Sequence, residues 1–172
     1  MKFSDIKHFP ECKYSVQIPL DYVDEWIEKH SNYPLVLEPD FQRVHVWTED
    51  QQVRYLEYLL MGGISGLHIY FNCSTWMKSF STPLVLVDGL QRLTAVQAFT
   101  GNRIKAFGCY LKEFEGYMPS VVNLTFNIAN LRTKVDVLNW YLAINVGGTP
   151  HSREEIDRVT DMLNHTNPDE MV

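Results

Sequence analysis

Two glutamine–arginine pairs are the side chains in this 172-residue sequence best suited to chemistry. One is Gln42-Arg43, within Asp40-Phe41-Gln42-Arg43-Val44-His45-Val46-Trp47. The other is Gln91-Arg92, within Asp88-Gly89-Leu90-Gln91-Arg92-Leu93-Thr94. Arginine presents a planar fork of donors that matches phosphate oxygens two at a time, and glutamine adds a neutral donor and acceptor. Two such pairs converging on one helix N-terminus would form a compact anion site, with Asp88 placed to bind a metal ion bridging phosphates or to orient a water. The plainer alternative is that Arg43 pairs with Glu38 or Asp40 and Arg92 with a surface carboxylate. Asp88-x-x-Gln91 would then be only a capping box.

The elements that must hold these residues can be read from periodicity. Leu84-Val85-Leu86-Val87 is a short apolar run bounded by Pro83 and Asp88-Gly89, which predicts a buried strand. Leu90, Leu93, Val96 and Phe99 then recur at helical spacing up to Gly101-Asn102. Asp88-Gly89 is therefore where a strand becomes a helix, and Gln91 and Arg92 fall in the helix's first turn. A cation there opposes the helix dipole, and a bound anion would reverse that sign.

Upstream, residues 1–17 show no clear period and read as an extended arm. Val23, Trp26 and Ile27 predict a short amphipathic helix, capped by Asp21 and stopped at Ser31-Asn32. Leu35-Val36-Leu37 is a brief strand candidate. Thr48-x-x-Gln51 is a capping box opening a helix through Val53, Leu56, Leu59 and Leu60 to Gly62-Gly63. Leu67–Phe71 reads as a strand, with His68 as a core histidine, and residues 72–82 as a hairpin or loop.

Downstream, residues 103–111 suggest a hairpin or meander, 113–120 a loop, and Leu124–Ile128 a strand. Leu131, Val135, Leu138 and Leu142 begin a mostly buried helix, stopped by Gly147-Gly148-Thr149-Pro150. Ser152-x-x-Glu155 opens the last helix, with Ile156, Val159, Met162 and Leu163 inward. The expectation is one α+β domain over residues 1–172 that ends in a helical pair.

Composition narrows the function. A hydrophobic content of 45% with 21% charged residues is ordinary for a globular domain. No apolar run is long enough to span a bilayer, and residues 1–5 carry no secretory signature, so no membrane partner and a cytoplasmic location are expected. Cys12, Cys73 and Cys109 are odd in number and far apart, consistent with free thiols and against a zinc site. A formal net charge of -6 disfavours a broad nucleic-acid surface. The sequence has no P-loop, no G-x-G-x-x-G, no G-x-S-x-G and no paired histidine motif.

Taken together, Phe41-Gln42-Arg43-x-x-Val46-Trp47 and Asp88-Gly89-Leu90-Gln91-Arg92-Leu93-Thr94 resemble the N-terminal domain of GmrSD-type modification-dependent restriction enzymes. The hallmark of that family is Asp-Gly-Gln-Gln-Arg-Leu-Thr after a strand, in a ParB/sulfiredoxin-like fold. Asn145-x-Gly147-Gly148-x-Pro150-x-Ser152-x-x-Glu155 matches its motif between late helices, so the resemblance runs over about residues 15–163. It implies a small mixed sheet with packed helices, and nucleoside triphosphate binding with Mg²⁺-dependent hydrolysis in characterised members. Carried onto this chain, Asp88, Gln91 and Arg92 take the catalytic roles, with Asp88 toward a metal. Gln42, Arg43, Gly89 and Asn145 take the nucleotide, and Thr94 packs behind them.

Two departures accompany the resemblance. Leu90 replaces the family's first Gln; the loss matters if that Gln acts on the nucleotide and not if it faces the core. The family's restriction enzymes also append a His-Asn-His-type nuclease domain, and this chain ends at Val172, so cleavage of DNA by that route is not expected. The partners expected are a nucleotide and another protein, such as a nuclease subunit or a defence protein. The alternatives are a catalytically silent module that inhibits or regulates a partner, and a DNA-binding or DNA-processing ParB-like protein.

Overall fold

In the computed structural model, every predicted helix but one begins within a residue or so of a signal visible in the sequence. The structure describes residues 1–5, 12, 14–30, 35–42, 46–76, 78–79, 81–119, 122–147 and 152–172. The elements are β1 (Tyr14–Pro19), α1 (Val23–His30), β2 (Leu35–Val36), α2 (Glu49–Leu60), β3 (His68–Asn72), β4 (Leu84–Asp88), α3 (Leu90–Thr100), β5 (Asn123–Ala129), α4 (Lys134–Gly147) and α5 (Arg153–His165). The fold is α+β. The stops expected at Ser31-Asn32 and at Gly148-Thr149-Pro150, and the residues Arg43, His45 and His151, lie outside the described residues.

Five strands form one mixed sheet in the order β1-β5-β3-β4-β2. β1 runs antiparallel to β5, from Tyr14 opposite Ile128 to Pro19 opposite Asn123. This corrects the reading of residues 1–17 as an arm: from Tyr14 onward they are an edge strand. Tyr14, Val16 and Ile18 face the first core and alternate with the exposed Ser15 and Gln17, a period-two row too short to stand out from the aromatic and charged residues before it, and Pro19 is tolerated at the strand's end. β3 pairs in parallel with β5 and antiparallel with β4, and β2 pairs in parallel with β4.

The pleat sorts side chains onto two cores. Leu84 and Leu86 of β4 join Ile69, Phe71, Leu124, Phe126 and Ile128 against α1, α2 and α3. Val87 turns the other way, with Ala129, into a second cluster with Val137, Leu138, Trp140 and Tyr141 of α4 and Val159 of α5. β4 is thus buried on both faces, which is why it reads as a continuous apolar run. The C-terminal helical pair that the sequence predicts is α4–α5, and it packs on this second face.

Other differences have local causes. α1 is entered through a 3₁₀ turn at Leu20–Tyr22, so Asp21 lies in that turn and does not cap. Residues 103–111 form a tight turn bridging Ala106 and Cys109, with Phe107 and Gly108 at φ +51° and +77°. Leu111–Glu113 then coils into a 3₁₀ turn, which leaves no second strand for a meander. The three cysteines are free thiols. Among the described residues no helix is long and apolar enough to cross a membrane.

The Thr48 capping box is complete: its hydroxyl accepts from the Gln51 N–H at 3.3 Å, and Gln51 Oε1 accepts from the Thr48 N–H at 2.9 Å. Thr48→Ala removes one arm of it. Urea denaturation is expected to show a loss of about 1 kcal/mol with an unchanged slope.

Candidate functional site: the β4–α3 junction

The junction is built on Gly89. Its φ of +111° lies in the left-handed region, and a Cβ there would come within 2.6 Å of Ile69 Cδ1 and 3.3 Å of the Ile69 Cα. Only glycine lets β4 turn into α3 this close to β3. Gly89 therefore occupies the N-cap position with no side-chain cap, and the capping box expected of Asp88 and Gln91 does not form.

Both residues are used otherwise. Asp88 Oδ2 accepts from Arg92 Nη2 at 2.5 Å, and each side chain of this pair is 20% exposed. Asp88 thus supplies the negative charge that Arg92 needs in the first turn of a helix. Gln91 is 6% exposed, and its Oε1 accepts from the N–H groups of Val46 and Trp47, both at 2.9 Å. Leu90, at the position where the family motif carries Gln, is also 6% exposed and lies in the first core. It faces inward, as the Leu90/Leu93 spacing predicts.

The segment carrying Gln42 is fixed on its other side. Phe41 is buried in the second core, its ring T-shaped to Tyr141 at 5.5 Å. Arg158 of α5 donates to the Asp40 carbonyl at 2.9 Å and the Phe41 carbonyl at 2.7 Å, and Lys134 donates to Asp40 Oδ2 at 2.8 Å. Gln42 is half-buried, and its N–H donates to the Pro39 carbonyl at 2.9 Å. The segment is therefore anchored at residues 40–42 by α4 and α5 and at 46–47 by α3. Asn145 is buried one turn beyond Tyr141, and its Nδ2 donates to the Tyr141 carbonyl at 2.7 Å.

Around the ion pair stand residues that motif reading missed. Tyr70 is the strand partner of Asp88 across β3 and β4. A Cβ on Gly66 would lie 3.5 Å from Tyr55 and 3.7 Å from Arg92 Cδ, and the Tyr55 hydroxyl donates to the Gly66 carbonyl at 2.8 Å. Burial pushes the Tyr70 hydroxyl up; the charges of Cys12 and Asp88 push the same way, and Arg92 counters them. Burial likewise pushes the Tyr55 hydroxyl well above its ordinary value, with Arg92 pulling against it. Both phenols stay protonated donors at neutral pH. His68 is exposed and not a core residue. The alternation of His68 and Tyr70 with Ile69 and Phe71 carried that signal.

The sequence model of the family described as GmrSD restriction endonuclease, N-terminal domain, matches residues 23–157, from the first residue of α1 into α5. The chain belongs to this family. No curated protein and no solved structure matches it. The GmrSD match contains Gln42, Arg43, Asp88, Gly89, Gln91, Arg92 and Asn145, and membership sets the chain in a restriction and defence context.

Gln91→Ala would strand two backbone N–H groups at Val46 and Trp47. A loss of about 1–3 kcal/mol is expected, with faster hydrogen exchange at those two amides. Gln91→Glu, which keeps an acceptor oxygen, should retain most of the protection. Gly89→Ala should cost more, about 2–4 kcal/mol, because strain in φ and overlap with Ile69 add.

Proposed function

We propose that the β4–α3 junction is the phosphate end of a nucleotide site on a ParB/sulfiredoxin-like fold, serving as a nucleoside-triphosphate-binding and hydrolysing unit of a restriction or counter-defence system. The observation that carries this reading is the Asp88–Arg92 pair, partly exposed at the end of β4. A helix start held by glycine, with no side-chain cap and an arginine in its first turn, has the composition of an anion site. Gln91 supports the reading by tying the segment that follows Gln42-Arg43 to the same helix end.

In this reading Arg92 binds phosphate oxygens and Asp88 orients the guanidinium. Gln91 is a positioning residue that acts through the 46–47 backbone. Gln42 and Arg43 reach the phosphates from the anchored segment, and Asn145 braces it from α4. Among the described residues no three His, Cys, Asp or Glu side chains gather as a metal cage. With one carboxylate already paired, the donor set suits Mg²⁺ carried in by the phosphates and not a metal held by the protein alone.

A second reading is favoured by the same pair. Asp88 already neutralises Arg92, as in a domain that has kept the fold and works by binding a partner protein. Partner capture unaffected by Arg92→Ala would select that reading.

The deciding experiment measures nucleotide binding and phosphate release by the purified chain, with and without Mg²⁺, beside Arg92→Ala and Asp88→Ala. Arg92→Ala is expected to weaken nucleotide binding about tenfold or more while thermal unfolding stays cooperative. Loss of turnover in both variants supports hydrolysis at this site. Binding without turnover makes the domain a nucleotide sensor. Neither binding nor turnover in the wild type overturns the proposal in favour of the interaction module.

A further inference from the structure

β3 carries His68 and Tyr70 two residues apart on one face, and their rings stack with centroids 6.0 Å apart and planes 20° from parallel. Trp140 of α4 closes the inner end of this stack, edge-on to Tyr70 at 5.9 Å and 87°. Trp140 is buried, Tyr70 is half-buried and His68 is exposed. The stack therefore begins in the second core and ends with an open imidazole face.

That imidazole is held in place. The Thr125 carbonyl can only accept, so the Asn127 nitrogen, 3.1 Å from it, must be the end facing it. The same Nδ2 donates to His68 Nδ1 at 3.1 Å, and Asn127 Oδ1 takes the Ser15 hydroxyl at 2.9 Å. His68 Nδ1 is then an acceptor, and the neutral ring carries its proton on Nε2. Asn127 is only 8% exposed, so a buried amide spends its hydrogen bonds fixing the tautomer and tilt of an exposed ring. Ordering an exposed side chain in this way returns little stability, and it is what a preorganised binding group requires.

The stack also stands beside the phosphate end. Tyr70 is directly opposite Asp88 in the sheet, and β3 begins at the end of the sheet where β4 stops. The geometry points to a nucleobase as the guest of this stack: the base lies on the exposed face of His68, and the phosphates extend toward Arg92. This inference rests on the phosphate reading of the Asp88–Arg92 pair and supplies the other half of the same ligand. The platform accepts any base by its π-face.

The test titrates the full-length chain with each of the four common ribonucleoside triphosphates and, separately, with inorganic tripolyphosphate, by calorimetry. His68→Ala should weaken the nucleoside triphosphates about tenfold and leave tripolyphosphate unchanged. His68→Phe, which keeps a ring, should recover most of that affinity. Nucleotide affinity unchanged in His68→Ala, with Arg92→Ala still defective, overturns the base platform and leaves the phosphate site standing. An equal loss of tripolyphosphate in His68→Ala also overturns it, since His68 would then serve the phosphates. A wild-type chain that binds neither probe overturns both readings together.

Discussion

The close approach of Gly89 to Ile69 is the constraint on which the rest of the site depends. β4 is an interior strand that is apolar on both faces, and it must end within van der Waals reach of β3 for α3 to pack on the first core. A side chain at position 89 would push α3 outward. That shift would separate Arg92 from Asp88, carry Gln91 away from the 46–47 backbone, and open the gap between Tyr70 and the ion pair. One missing Cβ thus sets the helix start, the orientation of the arginine and the path of a distant loop.

The second organising feature is that the segment from Asp40 to Trp47 spans the two cores. Phe41 is buried with α4 and α5, and Arg158 holds the carbonyls of Asp40 and Phe41. Trp47 packs on the first core, and Gln91 holds its N–H. The segment couples α5 to α3, elements that lie on opposite faces of the sheet.

The elements were legible where local chemistry decides them. The Thr48 box, the apolar rows of α2 and α3, and the Ser152 cap each contain their own start signal. Family membership was legible from the two Gln-Arg segments. What was not legible depended on partners far along the chain. β1 alternates at Tyr14, Val16 and Ile18, but so short a row is a strand only because β5 lies beside it, more than a hundred residues away. Asp88-x-x-Gln91 has the spacing of a capping box, yet Gly89 takes the cap position, which frees Asp88 for Arg92 and Gln91 for the 46–47 backbone. His68 sits between apolar residues and reads as core, but the pleat sends it outward with Tyr70. In each case tertiary pairing decided between two uses that the local sequence allowed.

The Asp88–Arg92 pair can be read as an obstacle to anion binding or as preparation for it, and the number of donors decides between them. A guanidinium has five N–H donors, and the bond to Asp88 Oδ2 comes from Nη2 alone. An anion approaching the exposed edge can be met by the remaining donors without breaking that bond. Keeping the pair also avoids leaving a half-buried carboxylate uncompensated, which is the costly way to recruit an arginine. Asp88 lowers the net positive charge that a phosphate meets, and in exchange it fixes the plane of the fork before the phosphate arrives. For a ligand as highly charged as the proposed triphosphate, long-range attraction would be less limiting than geometry. Under that proposal, an arginine aimed by its own carboxylate, beside two protonated tyrosines and an uncapped helix end, would serve selectivity in orientation more than raw affinity.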